Sequence, residues 1–89
     1  MPTKILKAIS DPTRLKIVEL LKQGEICACK FVPLTKKAQP TVSQHLKILE
    51  NAGIVKSRKE GKMILYSIVD KKIFDLIKIA KEVSKWLIF

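Results

Sequence analysis

One histidine, three glycines and eight acidic side chains are all this 89-residue chain holds of the groups that enzyme sites most often recruit. With one histidine, few carboxylates, no glycine-rich phosphate loop and no strained nucleophile turn, there is nothing from which to assemble a catalytic site. The chain is therefore expected not to be an enzyme. A single histidine also rules out a histidine-rich metal site within one chain. No apolar run reaches the length of a membrane span, and the N-terminus has no apolar stretch ending in a small-residue cleavage site. No membrane partner is expected, and a cytoplasmic location is. Cysteine occurs only as Cys27 and Cys29, and in a reducing compartment such a pair is not a structural disulfide. There is no internal repeat and no low-complexity segment.

Positive charge is what abounds. Lysine and arginine number 18 against 8 acidic residues, a formal net charge of +10. An excess this large on so short a chain points to a polyanionic partner, most simply nucleic acid, because each phosphate contacted releases counterions. At 47% hydrophobic and 29% charged residues, the chain folds rather than staying disordered. Its length implies one domain over residues 1–89, with a core small enough to benefit from a partner subunit.

Turn signals divide the chain into short elements. Residues 3–9 form a first helix with Ile5, Leu6 and Ile9 on one face. Asp11 can cap a second helix, Pro12 suits its first position and Gly24 ends it; Leu15, Ile17, Val18 and Leu21 form its apolar stripe. Residues 25–36 admit two readings, because Pro33 inside a helix would clash with the carbonyl four residues earlier. Either a helix spanning Cys27 is kinked, or residues 27–32 are extended and a short helix starts at Pro33; we favour the second. Next comes a helix with Pro40 in its first turn, a seam of Val42, Leu46 and Leu49, and Gly53 as its stop. Residues 54–58 and 63–69 flank Glu60-Gly61 and read as a β-hairpin with a basic tip. Asp70 caps a final helix over 71–89. Ile73, Phe74, Ile77, Ala80, Val83 and Leu87 recur there at helical spacing, and Leu76, Ile79, Trp86, Ile88 and Phe89 widen the apolar surface.

Helix, helix, short helix, helix, hairpin, helix is the order of a mainly α fold with a small β-hairpin wing: a winged helix-turn-helix with an extra C-terminal dimerisation helix. Its fourth helix would enter the major groove of double-stranded DNA. With Val42 pointing inward at ~100° per residue, Pro40, Thr41, Gln44, Lys47 and Asn51 point outward, with Ser43 and His45 on the flanks. This face is polar and has no carboxylate before Glu50. The candidate DNA contacts are therefore Gln39, Thr41, Ser43, Gln44, His45 and Lys47 on the helix, and Arg58, Lys59 and Lys62 on the wing. A plain solvated surface is the alternative at each. The last helix is too apolar all round for a lone surface helix. Ile73, Phe74, Ile77, Ala80, Val83, Trp86 and Leu87, with Ile5 of the first helix, are expected to form a homodimer interface; an intrachain core is the rival. A two-fold dimer implies a pseudo-palindromic operator.

The chain resembles the ArsR family of winged-helix repressors. "AISDPTRLKIVELL" is similar to the family's second-helix signature, and "QPTVSQHLKILENAGIVKSRKEGKMILYSI" to its recognition helix and wing. The resemblance implies a homodimeric repressor that leaves DNA on binding an inducer. "EICACKF" sits where arsenic- and cadmium-sensing members carry Cys-x-Cys on the helix before the recognition helix, so Cys27 and Cys29 match two ligand positions. Three departures stand out. Val32 occupies the place of the arsenite sensors' third cysteine, the last helix has no histidine, and Ala38 replaces the serine that caps the recognition helix, leaving Gln39 at the cap.

Two thiolates suit soft ions such as arsenite or cadmium. Residues two apart point ~200° away from each other in a helix but share a face in an extended segment. Nearby Lys30, Lys36 and Lys37 favour the thiolate. Cys27 and Cys29 are thus candidate ligands for a soft metal or metalloid inducer. A redox or thiol-responsive switch, and an effector-free protein in which they merely pack, are the alternatives.

Overall fold

The computed structural model describes residues 2–87, with side chains to residue 84. Five helices, α1 (Pro2–Ile9), α2 (Pro12–Leu20), α3 (Phe31–Thr35), α4 (Gln39–Asn51) and α5 (Lys72–Leu87), surround one core. Three strands, β1 (Ile26–Cys27), β2 (Val55–Glu60) and β3 (Met63–Ile68), form an antiparallel sheet in the order β1-β3-β2.

Local chemistry accounts for most boundaries. The Asp11 carboxylate accepts from the Thr13 and Arg14 backbone N–H groups at 2.9 and 3.0 Å, with Pro12 at the first position of α2. Those N–H groups have no partner inside the helix, so the cap satisfies them. A 3-10 turn, Leu21–Gln23, carries α2 to Gly24, whose φ of 128° only glycine adopts freely. The hairpin turns through Gly61 at φ 60°, the first of its two linking residues, where a side chain would be strained. Asp70 Oδ1 accepts from the Lys72 N–H at 2.9 Å and starts α5.

Residues 25–36 correct both sequence readings. Extended structure is confined to β1, and a 3-10 turn, Ala28–Lys30, follows it. The helix α3 begins at Phe31, two residues before Pro33. Pro33 is harmless there, because a first-turn N–H has no helical acceptor to lose. The wing also has a third strand, since Ile26 and Cys27 pair with Tyr66 and Leu65 of β3.

The core joins Ala8 of α1, Ile17 and Val18 of α2, Leu21, Phe31 of α3, Val42, Leu46 and Leu49 of α4, Ile54, Val55 of β2 and Ile77 of α5. The expected α4 seam is fully buried, which fixes the outward side of that helix.

Candidate nucleic-acid interface

The helix-turn-helix pair is α3 and α4. Its turn passes through Lys36 in the left-handed region at φ 59°. Thr35, buried beneath it, donates its hydroxyl to the Phe31 carbonyl at 2.6 Å and accepts from the Lys37 N–H at 3.3 Å. Ala38 is the N-cap of α4 and offers no side-chain oxygen, so the cap lies one residue earlier than Gln39. Gln39 instead donates to the Ser43 hydroxyl at 3.2 Å. Ser43, Gln44 and Lys47 are exposed on α4, and Thr41 is half-buried. Ser57 of β2 donates to Glu50 of α4 at 2.9 Å, tying wing to helix.

Two expected contact residues already have partners. His45 is half-buried, and Arg14 Nη1 meets its Nδ1 at 3.1 Å. Arg58 forks onto Glu25 at 2.7 and 2.8 Å, and its Nη2 also lies 2.8 Å from Glu60. The Arg58 guanidinium accordingly holds the Glu25 carboxyl below its ordinary value. Lys59 and Lys62 are exposed at the wing tip. Sequence reasoning missed Arg14 and Glu25, which lie 31 and 33 residues from the groups they hold.

The thiols do converge, but on a strand and a 3-10 turn rather than on a helix. Cys27 Sγ and Cys29 Sγ are 2.7 Å apart. Cys27 is buried and Cys29 exposed. The Cys29 thiol donating to Cys27 sulfur holds Cys27 below the ordinary thiol value and Cys29 above it. The Cys29 N–H, the charge of Lys30 and the Ile64 N–H of β3 support the Cys27 thiolate further. Among the described residues no group of three or more His, Cys, Asp or Glu side chains could hold a metal ion.

On α5, Ile77 is buried in the chain's own core, with Ile73 and Phe74 packed against it. Ile5 of α1 also packs there. Leu76, Ile79 and Val83 stand 37%, 57% and 53% exposed, beside exposed Ala80; Leu6 of α1 is 51% exposed. These open residues fall at i, i+3, i+4 and i+7, one face of the helix. The expectations for the side chains of Trp86 and Leu87, and for Ile88 and Phe89, lie outside the described residues. Among those residues no helix is long and apolar enough to cross a membrane.

Residues 11–57, just over half of the chain, match the model of bacterial regulatory proteins of the arsR family. The chain belongs to the ArsR family. This ArsR-family chain is 51% identical over 80 residues to an uncharacterised HTH-type transcriptional regulator of Methanocaldococcus jannaschii, covering 89% of this chain and 90% of that one. It is 42% identical over 76 residues to a cadmium resistance transcriptional regulatory protein, a CadC homologue of Staphylococcus aureus. That match covers 84% of this chain and 63% of the relative, just under two thirds of its length. Among solved structures, the homodimeric winged helix-turn-helix DNA-binding domain of a possible ArsR-family regulator from Mycobacterium bovis superposes with a TM-score of 0.82 at 29% identity. There 93% of this chain and 77% of that one are covered. The expected architecture, a winged helix-turn-helix with α5 as the added C-terminal helix, is thus established.

Proposed function

We propose that this protein is a dimeric, sequence-specific DNA-binding repressor. Its α4 lies in the major groove and its wing along the flanking phosphates. The observation that carries this is the two-sidedness of α4. Val42, Leu46 and Leu49 are fully buried, while Ser43, Gln44 and Lys47 stand exposed. Such a helix is held rigidly by one face and free to read with the other. Thr41, Ser43 and Gln44 supply hydrogen bonds for base edges, and Lys47, Lys59 and Lys62 supply charge for phosphates. Gln39 and Ser43, bonded to each other, face the same side at the start of the helix. The open α5 face of Leu76, Ile79, Ala80 and Val83, with Leu6, gives the dimer its apolar seam, and the two-fold pair reads a pseudo-palindromic operator. Homodimerisation of the Mycobacterium bovis domain supports this.

Cys27 and Cys29 are the inducer site. Two converging thiols near the surface fit a soft metal or metalloid such as arsenite or cadmium, which would supply thiolate bonding and no further chemistry. The proximity of the two sulfurs favours a second reading, in which hydrogen peroxide oxidises the pair: an S–S bond forms, the O–O bond breaks, and the two electrons and two protons given up by the thiols end in two waters.

The test is fluorescence anisotropy of a duplex taken from just upstream of the gene. Reduced protein should bind with steep salt dependence and lose that binding in Gln44→Ala/Lys47→Ala. Arsenite, cadmium or peroxide should dissociate the wild type but not Cys27→Ser/Cys29→Ser. Binding that survives the α4 changes would overturn the groove assignment. A complex indifferent to all three agents would overturn the inducer assignment.

A further inference from the structure

Arg14 spends its side chain on three acceptors, none of them a carboxylate. Its Nε donates to the Ala8 carbonyl at 2.7 Å, Nη2 reaches the Lys7 carbonyl at 3.5 Å, and Nη1 meets His45 Nδ1 at 3.1 Å. The two carbonyls belong to the last turn of α1, where helical partners run out and a cation is favoured. One guanidinium on α2 therefore joins the end of α1 to the middle of α4.

The chemistry of the pair fixes a proton. A guanidinium has five N–H donors, no acceptor, and does not deprotonate in proteins. The atom facing it must offer a lone pair, so Nδ1 is bare and the imidazole proton sits on Nε2. The Nδ1–H tautomer, or an imidazolium, would set N–H against N–H. An ionised group near the ring is Asp11, the cap of α2, whose carboxyl is held low first by the Arg14 N–H and also by the Arg14 charge. Its oxygens are already taken up by the Thr13 and Arg14 N–H groups.

We propose that Arg14 is a positioning residue for DNA recognition. It holds His45 as the neutral Nε2–H tautomer, so α4 presents one hydrogen-bond donor there, and it ties the setting of α4 to α1. This rests on the DNA-binding reading above. An Nε2–H donor accepts a phosphate oxygen or a purine N7 or guanine O6 as partner, and rejects an exocyclic amine.

The chain's single histidine makes the test direct. Nitrogen-15 NMR of the free protein, above the histidine titration range, should show one ring with Nε2 protonated and Nδ1 bare. Arg14→Met should yield mixed tautomers and weaken operator binding roughly fivefold, the scale of one neutral hydrogen bond. The salt slope should stay unchanged. His45→Asn keeps an acceptor for Arg14 and a donor for DNA, so it should retain more affinity than His45→Ala in the wild-type background but not beside Arg14→Met. A wild-type ring protonated on Nδ1 would overturn the proposal even if Arg14→Met failed to fold. Equal losses in His45→Asn and His45→Ala would also overturn it. The expected tautomer in a protein that binds no duplex at low salt would instead refute the DNA-binding reading.

Discussion

Replacing Glu25 by glutamine should make the protein bind DNA more tightly. Arg58 lies among the wing cations, yet its guanidinium is clamped by Glu25 through two bonds of 2.7 and 2.8 Å and lies 2.8 Å from Glu60. One positive and two negative charges leave that cluster at −1, and Glu25→Gln brings it to zero. With the clamp in place Arg58 is expected to make no phosphate contact; without it only the exposed Glu60 contact has to be exchanged for one more phosphate. Each phosphate neutralised adds about 0.9 to the slope of log affinity against log salt, so one contact changes affinity about 3.5-fold between ~50 and ~200 mM salt. Glu25→Gln should therefore steepen the slope by about 0.9, so that its advantage over the wild type is about 3.5-fold larger at ~50 than at ~200 mM salt. Anisotropy titrations across salt measure both. Arg58→Gln in each background completes a double-mutant cycle, with little effect in the wild type and full reversal of the gain beside Glu25→Gln. The difference should also persist throughout the neutral pH range. Arg58 lowers the Glu25 carboxyl, so the clamp is complete above the ordinary glutamate value and is lost only as pH falls through the lowered one. An unchanged slope in Glu25→Gln, or a large loss from Arg58→Gln alone, would refute the idea that the clamp withholds Arg58.

Three further outcomes follow from local geometry. Lys36 is the one non-glycine residue at positive φ among those described; Lys36→Gly should stabilise the helix-turn-helix by about 0.5–1 kcal/mol in urea unfolding, left-handed strain relieved outweighing chain entropy lost, and a destabilised variant would contradict this. Asp11→Ala should cost about 1 kcal/mol at neutral pH through the lost cap. Because the Asp11 carboxyl is lowered, chiefly by the Arg14 N–H, that difference should vanish as pH falls through the lowered value, and a gap that persisted in strong acid would show that the cap is not its source. Cys29 is raised by its bond to Cys27, so Cys27→Ser should bring the Cys29 thiolate absorbance in at lower pH, whereas an unmoved midpoint would mean the two sulfurs share no proton.

The elements visible in the sequence are those set by neighbours along the chain. Asp11-Pro12 makes its cap within three residues, Gly61 makes its turn within two, and the seam of Val42, Leu46 and Leu49 repeats at the helical period. A two-residue strand has no such signature. Ile26 and Cys27 are extended because Tyr66 and Leu65 pair with them, and nothing between residues 25 and 36 encodes those partners. On α5 the apolar spacing was legible, but not the choice of face. Ile77 is 5% exposed and Ile79 57%, and the difference is set by the rest of the core.

The same division runs through the interface. Local reading treats a basic or polar side chain on an outward face as free to meet DNA. His45 and Arg58 are not free, because Arg14 and Glu25 reach them from more than thirty residues away. Gln44, Lys47, Lys59 and Lys62 make no side-chain hydrogen bond or ion pair among the described residues. On the proposed reading, contacts from these four need no prior exchange, and the three lysines among them suit the sequence-independent encounter. His45, already fixed in orientation, suits the discriminating step, since a donor that cannot re-aim leaves a mismatched base unpaired. Arg58 must leave two carboxylates before it can touch a phosphate. Any event at Cys27 that shifts β1 also shifts Glu25 two residues earlier, and with it the hold on Arg58. The proposed inducer pair is thus joined to the wing in two ways, by the pairing of Cys27 with Leu65 of β3 and by the Glu25–Arg58 ion pair.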